Sequence, residues 1–305
     1  MLQQVQDQVN SVIKGKEDVV QKVLAAMIAG GHILMEDIPG VGKTTLATTI
    51  AGVLSLDYHR VQFTPDVLPG DILGFSMYNN RTGEFVFHEG SVFCNLFLAD
   101  EINRTSPKTQ SALLEVMEER QASVEGETRK LPDVFCVIAT QNPTGSSGTQ
   151  NLPESQLDRF MVCLSMGYPE HEDAVSILKG EVWKRVGQVQ PLLDVDGLAQ
   201  FQKMAESVFV HDEIYEYIVR LVEETRQNEL FAMGASPRGA IALLKMSRGM
   251  AVLAGRDFVT AEDVQKVLKD VLGHRVKLSA KARTAGKSMA QCMLELMKQV
   301  KSPRC

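Results

Sequence analysis

Between about residues 20 and 165, short apolar runs alternate with stretches whose apolar positions recur every three or four residues. The runs His32–Glu36, Tyr58–Gln62, Ser91–Ala99, Val134–Ala139 and Phe160–Leu164 read as strands, and Lys43–Leu54 and Pro107–Glu119 as helices. Strands separated by crossover helices imply a parallel sheet, because no tight turn can join parallel neighbours. The rhythm changes near residue 190. Gln188–Asp196 has the character of a linker, and beyond it the periodic stretches are helical: Asp194–Glu206, Asp212–Gln227, Arg238–Ala254, Ala261–Leu272 and Ala280–Val300. Thr260 followed by Asp263 predicts a capping box at one helix start. Two insertions read as hairpins: Ser76–Phe87, around an Asn/Gly turn, and Gln121–Val137, bent at Glu125–Gly126–Glu127. The predicted layout is an α/β domain over residues 1–187 and a smaller all-helical domain over 188–305.

Composition narrows the classes. At 305 residues the chain is long enough for two domains, and 44% hydrophobic with 23% charged residues is ordinary for a globular protein. A net charge of -6 argues against a protein built mainly to neutralise nucleic-acid phosphates. No apolar run approaches the ~18 residues of a membrane span. The polar, glutamine-rich amino terminus lacks the pattern of a secretory signal. Cys94, Cys136, Cys163, Cys292 and Cys305 lie singly, with no CxxC pair, which suits a reducing cytoplasm. The histidines show no metal-ligand spacing. From Arg275 to Arg304 the tail carries eight basic residues against Glu295 alone, read as a solvated helix face.

The chemistry begins at Asp37–Ile38–Pro39–Gly40–Val41–Gly42–Lys43–Thr44, between a predicted strand and a predicted helix. That is the setting of a phosphate-binding loop: Gly40 and Gly42 let backbone N–H groups wrap phosphate oxygens, Lys43 reaches the β- and γ-phosphates, and Thr44 can ligate Mg²⁺. The usual pattern starts with glycine, whereas Asp37 stands here; aspartate tolerates the left-handed backbone better than most residues, so the loop stays feasible. Leu96–Glu101 is an apolar strand ending in two carboxylates. Beside the loop, Asp100 can hold the Mg²⁺ water shell and Glu101 can polarise an attacking water. A third strand ends at Thr140–Gln141–Asn142–Pro143, placing the Asn142 amide where it can orient that water.

These segments, with Gln62–Phe63–Thr64–Pro65–Asp66–Val67–Leu68–Pro69, Asp100–Glu101–Ile102–Asn103–Arg104, Leu152–Pro153–Glu154–Ser155–Gln156–Leu157–Asp158–Arg159–Phe160 and Gly234–Ala235–Ser236–Pro237–Arg238, resemble the AAA+ ATPases, and among them the MoxR family, across nearly the whole chain. The resemblance implies a P-loop AAA+ core with hairpin insertions, followed by a helical lid, and ATP and Mg²⁺ bound in the cleft between the two. It implies that Arg159 is the arginine finger given to a neighbour's ATP, that Arg238 is the lid sensor acting in its own subunit or the next, and that Arg104 could also face a neighbour. Val12–Ile13–Lys14–Gly15–Lys16 resembles the segment over the adenine, so Val12 and Ile13 join Gly40, Val41, Gly42, Lys43, Thr44 and Thr45 as nucleotide-binding candidates. Thr44 and Asp100 are the metal candidates; Glu101, Asn142, Arg159 and Arg238 the catalytic ones. The hairpins resemble insertions facing a ring's opening or a client.

The family implies a homo-oligomeric, hexameric ring acting as a chaperone-like remodeller or maturation factor, with a protein client and a von Willebrand factor A domain partner. The motor subunit of a chelatase-like enzyme is the alternative. A nucleic-acid motor or loader is disfavoured by the acidic balance, and a GTPase switch by the lack of an Asn-Lys-x-Asp box.

Overall fold

The computed structural model describes residues 1–142 and 152–303; Pro143, Arg304 and Cys305, singled out above, lie outside them. Among the described residues the strands are β1 (Ile33–Glu36), β2 (Tyr58–Gln62), β3 (Gly74–Asn79), β4 (Glu84–Glu89), β5 (Leu96–Asp100), β6 (Gln121–Val124), β7 (Glu127–Lys130), β8 (Cys136–Gln141), β9 (Val162–Leu164), β10 (Phe231–Met233) and β11 (Lys277–Leu278). Five of them form a parallel sheet in the order β2-β5-β8-β1-β9. One sheet face packs on the helices Leu2–Val12, Glu17–Ile28 and Lys43–Val53, whose core runs on into the C-terminal helices. The other face, with Phe63, Phe97, Phe135 and Phe160, packs on the helix Pro107–Glu119.

Three predicted strands shift by two residues or more at their ends, each for a visible reason. The run Ser91–Ala99 enters the sheet only at Leu96, because the Asn95 side chain ties the preceding turn to Asp57 N–H (3.1 Å) and Val134 C=O (3.0 Å). The predicted strand Val134–Ala139 is displaced to Cys136–Gln141, since Gln141 pairs with Glu36 of β1. The strand predicted from Phe160 begins at Val162, because the carbonyls of Asp158, Phe160 and Met161 accept from the Arg275 guanidinium (3.0, 2.6 and 3.1 Å). β3–β4 and β6–β7 are the two hairpins. The second turns at Glu125 (φ 55°) and Gly126 (φ 82°), the paired positive angles of a tight hairpin turn, and ends at Lys130 rather than Val137.

The C-terminal helices are Val195–Ser207, Asp212–Gln227, Pro237–Leu253 and Ala261–Leu272, and the Thr260–Asp263 capping box forms. The ribbon β10–β11 joins them. The stretch predicted as one helix, Ala280–Val300, breaks into Ala280–Thr284 and Met289–Gln299 around Gly286 (φ 68°) and the Ser288 cap. Helix Pro237–Leu253 crosses Glu17–Ile28 so closely that a Cβ on Gly249 would meet the Ala25 carbonyl. Buried Arg275 adds a second tie, its Nε donating to Asp158 Oδ1 at 2.7 Å, while Ser236 Oγ donates to Asp158 Oδ2 at 2.9 Å. Lys277, Lys281 and Lys287 of the basic tail pair with Glu154, Glu229 and Glu295. No helix among the described residues is long and apolar enough to cross a membrane.

Buried His32 and half-buried His274 give the fold a definite acid response. His32 Nδ1 accepts from Val137 N–H (3.0 Å), leaving Nε2–H to donate to Met117 C=O (2.9 Å), so the ring is neutral. Burial lowers His32 to about 4 and His274 to about 3, from 6.5. Their contribution to stability is therefore complete above pH 6.5 and is lost as pH falls towards those values, where the unfolded chain binds protons the folded one refuses. In urea titrations between pH 6.5 and 5 the pair contributes a loss approaching about 2.7 kcal/mol per pH unit, and in His32→Gln the slope due to the pair falls by about half. An unchanged slope in the variant contradicts the assignment.

Candidate active site

The loop after β1 takes its shape from Gly40 (φ 85°) and Gly42 (φ 97°), conformations that a Cβ disfavours. Gly42 caps the helix Lys43–Val53, so the helix N-terminus points its free N–H groups into the loop. Asp37 does not need the left-handed backbone expected of it: its φ is not positive. Its carboxylate works instead, accepting from Ser165 Oγ (2.7 Å), Met166 N–H (2.6 Å) and Gly167 N–H (3.0 Å). Lys43 Nζ donates to the carbonyls of Asp37 (2.9 Å) and Ile38 (3.3 Å). Burial lowers its pKa, opposed by the charges of Asp37, Asp100 and Glu101, which places the lysine within the field of all three.

The sheet order puts the acidic pair next to this loop through β8. Asp100 Oδ1 accepts from Thr140 Oγ1 (2.7 Å), and the same Oγ1 accepts from Glu101 N–H (2.9 Å). Asp100 Oδ2 pairs with Arg60 of β2 at 2.8 Å. Glu101 sits at φ 56°, a strained backbone for a non-glycine residue, of the kind that gathers at functional sites. Its Oε2 accepts from Gln62 Nε2 (2.9 Å) and Arg104 Nη1 (2.6 Å). Arg104, though exposed, thus pairs with its own subunit's carboxylate. Asn142 follows Gln141, whose carbonyl accepts from Asp37 N–H at 3.3 Å, and its own carbonyl accepts from Asn103 Nδ2 at 3.4 Å. The residue thus directly follows the end of β8, which lies between β5 and β1.

A cleft beside the loop is lined by Val12, Ile13, Gly40, Val41, Gly42 and Thr45 on one side and by Met166, Pro169, Ile177, Val182 and Arg185 on the other. The second wall is the helix pair His171–Leu178 and Glu181–Val186 with the segment before it. Every lining residue precedes Gln188, so the C-terminal helices take no part in its walls. The close crossing at Gly249 docks those helices on Glu17–Ile28 instead.

Arg159 and Arg238 do not join this group. Both lie in a cleft with Gly30, Gly31 and His32, at the start of β1, whereas the phosphate loop follows its end. Glu118 holds them side by side, with Arg159 Nε at 3.2 Å and Arg238 Nη2 on the other carboxylate oxygen. Sequence reasoning missed Arg60, Gln62, Thr140, Glu118 and the wall from Met166 to Arg185. Arg60 and Gln62 share a face of a strand that ends beside the acidic pair, the one signal available.

The chain is similar to known proteins along most of its length. The ATPase family associated with various cellular activities (AAA) matches residues 32–162, and the AAA lid domain matches 223–292. The uncharacterised protein YeaC of Bacillus subtilis is 44% identical over 298 residues, 97% of this chain and 93% of YeaC. Chaperone MoxR1 of Mycobacterium tuberculosis is 40% identical over 285 residues, 89% of this chain and 74% of MoxR1. A Cytophaga hutchinsonii protein, its crystal structure described as that of a candidate ATPase, superposes with a TM-score of 0.89 and 36% identity, covering 99% of this chain and 94% of its own. Sheet, loop and lid together define an ATPase of the AAA class. Within that class the relatives are specific: the chain belongs to the MoxR family.

Thr140 holds both acidic residues with one hydroxyl, so Thr140→Val leaves Asp100 Oδ1 and Glu101 N–H without that partner. Hydrogen bonds to charged groups are worth about 1.5–3 kcal/mol, so kcat for ATP falls about tenfold or more while nucleotide affinity changes little. Thr140→Ser keeps the hydroxyl and most of the activity. Steady-state ATPase rates beside direct binding measurements check this, and an unchanged kcat in the valine variant contradicts it.

Proposed function

We propose that the chain hydrolyses ATP as one subunit of a homo-oligomeric ring, six subunits by resemblance, with residues 1–187 as nucleotide-binding core and 188–305 as lid. One observation carries this reading. Arg159 and Arg238 share Glu118 at the end of β1 opposite the phosphate loop, so within one chain neither guanidinium lies with that loop. A second subunit, docked head to tail, brings both to the first subunit's nucleotide, and a repeated contact of that kind closes into a ring. This favours a role in trans for Arg238 as well as Arg159.

In this reading Val12 and Ile13 cover the base, and Gly40, Val41, Gly42, Lys43, Thr44 and Thr45 hold the triphosphate. Thr44 and Asp100 are hard oxygen donors that fit Mg²⁺. No group of three or more His, Cys, Asp or Glu among the described residues forms an all-protein metal cage, which suits an ion that keeps waters and phosphates as ligands. When bound, Mg²⁺ neutralises charge on the β- and γ-oxygens. Glu101 takes the proton of the attacking water, Asn142 orients that water, and the neighbour's Arg159 stabilises the charge that develops.

The ring's work is chaperone-like remodelling or maturation of a protein client, with a von Willebrand factor A domain partner. The β3–β4 hairpin supports a protein target, since Phe75, Met77, Tyr78 and Phe85 stand exposed on it, Phe85 by 73%. Arg129 of β7 stacks 3.7 Å from the Phe87 ring centroid and joins the two hairpins. The cytoplasm is the compartment that goes with this reading, in keeping with the free thiols of Cys94, Cys136, Cys163 and Cys292.

ATPase activity per chain, measured against protein concentration with particle mass, rises with assembly. Arg159→Ala loses activity by about 10³-fold or more and Glu101→Gln by about 10²-fold or more, both while still binding ATP. Mixing the two variants restores turnover, because one supplies the carboxylate and the other the finger at a shared interface. A flat activity per chain together with a harmless Arg159→Ala overturns the shared site.

A further inference from the structure

We propose that Asp37 is a positioning residue that sets the base-binding wall against the phosphate loop, so that ATP is held as one ligand and not merely by its phosphates. The proposal rests on the reading above that the base occupies the cleft beside Val12 and Ile13.

Asp37 occupies the place where a phosphate loop ordinarily has glycine, yet its backbone makes no use of the freedom glycine offers. The loop has its own means of keeping shape: the two positive-φ glycines, the helix cap at Gly42, and Lys43 on the carbonyls of Asp37 and Ile38. None of these is a hydrogen bond to the Asp37 side chain, whose charge acts on Lys43 only through space. That side chain is buried, and its oxygens accept three hydrogen bonds, all from the segment leaving β9.

The same segment runs directly into the far wall of the cleft, where Met166 and Pro169 precede Ile177 of the helix His171–Leu178. It is tied a second time from the other side: Lys16 Nζ donates to the Tyr168 carbonyl at 2.8 Å, just after Val12 and Ile13. Residues 165–169 are thus a strap, fastened to the phosphate loop by Asp37 and to the base side by Lys16. Two of the three donors on Asp37 are backbone N–H groups, so removing the carboxylate frees the strap along its length and leaves the phosphate-binding N–H groups in place. The motif rule expects Asp37→Gly to be neutral or beneficial. The geometry expects the opposite.

The test compares binding of ATP with binding of inorganic tripolyphosphate, a ligand with no base, to the full chain and to Asp37→Gly and Asp37→Asn, with folding checked by circular dichroism. The wild type prefers ATP. In Asp37→Gly the ATP affinity falls about tenfold or more, the scale of lost charge-assisted hydrogen bonds, while tripolyphosphate affinity stays within about threefold. Asp37→Asn, which keeps one acceptor oxygen, falls between and serves if the glycine variant does not fold. An equal loss for both ligands means that Asp37 only shapes the phosphate loop, and no loss for either means that the strap holds without it; both overturn the proposal. A wild type that binds tripolyphosphate as tightly as ATP sinks instead the base-cleft reading beneath it.

Discussion

In a parallel sheet all strands finish on one edge, and here β5, β8 and β1 finish there side by side. That adjacency places the acidic pair, Asn142 and the phosphate loop within one field of charge. β8 is the pivot of the arrangement. Its Thr140 hydroxyl fixes both Asp100 and Glu101, and its Gln141 carbonyl receives the first N–H of the loop. Because the side chains at this edge are held by hydrogen bonds from neighbouring strands, the register of the sheet sets the geometry of the site.

The opposite edge is organised by a different constraint. Arg275 is buried among the carbonyls of Asp158, Phe160 and Met161 and pairs with the Asp158 carboxylate. A buried guanidinium is tolerated only where such partners are complete, so the C-terminal helices can dock in one position. Gly249 against Ala25 fixes the same position by contact. The outcome is that Arg238 stands beside Arg159, far along β1 from the phosphate loop. On our reading the division of the site between subunits follows from this docking.

Much of the fold was legible in the chain because its signals are local. The switch from strands and crossover helices to helices alone follows apolar periodicity, and the Thr260–Asp263 box, the helix Pro107–Glu119 and the two hairpins need only near neighbours. Strand ends were less legible, since Asn95, Glu36 and Arg275 decide them through partners tens of residues away. Among the candidate site residues, Lys43, Asp100, Glu101 and Asn142 stand out by motif. Glu118, Arg60 and Thr140 did not, because a carboxylate on a helix or a threonine in a strand carries no sign of what it meets.

By itself the sequence determined the class of chemistry and the order of the parts. Glycines that permit positive φ, a lysine, and carboxylates at the end of an apolar strand are chemical necessities that local patterns display. Only the tertiary structure decided which residues wall the cleft beside the loop, what Asp37 bonds to in place of glycine, and at which end of the sheet the two arginines stand. Those depend on crossing angles, burial and partners distant along the chain, and a linear pattern holds no record of such distances.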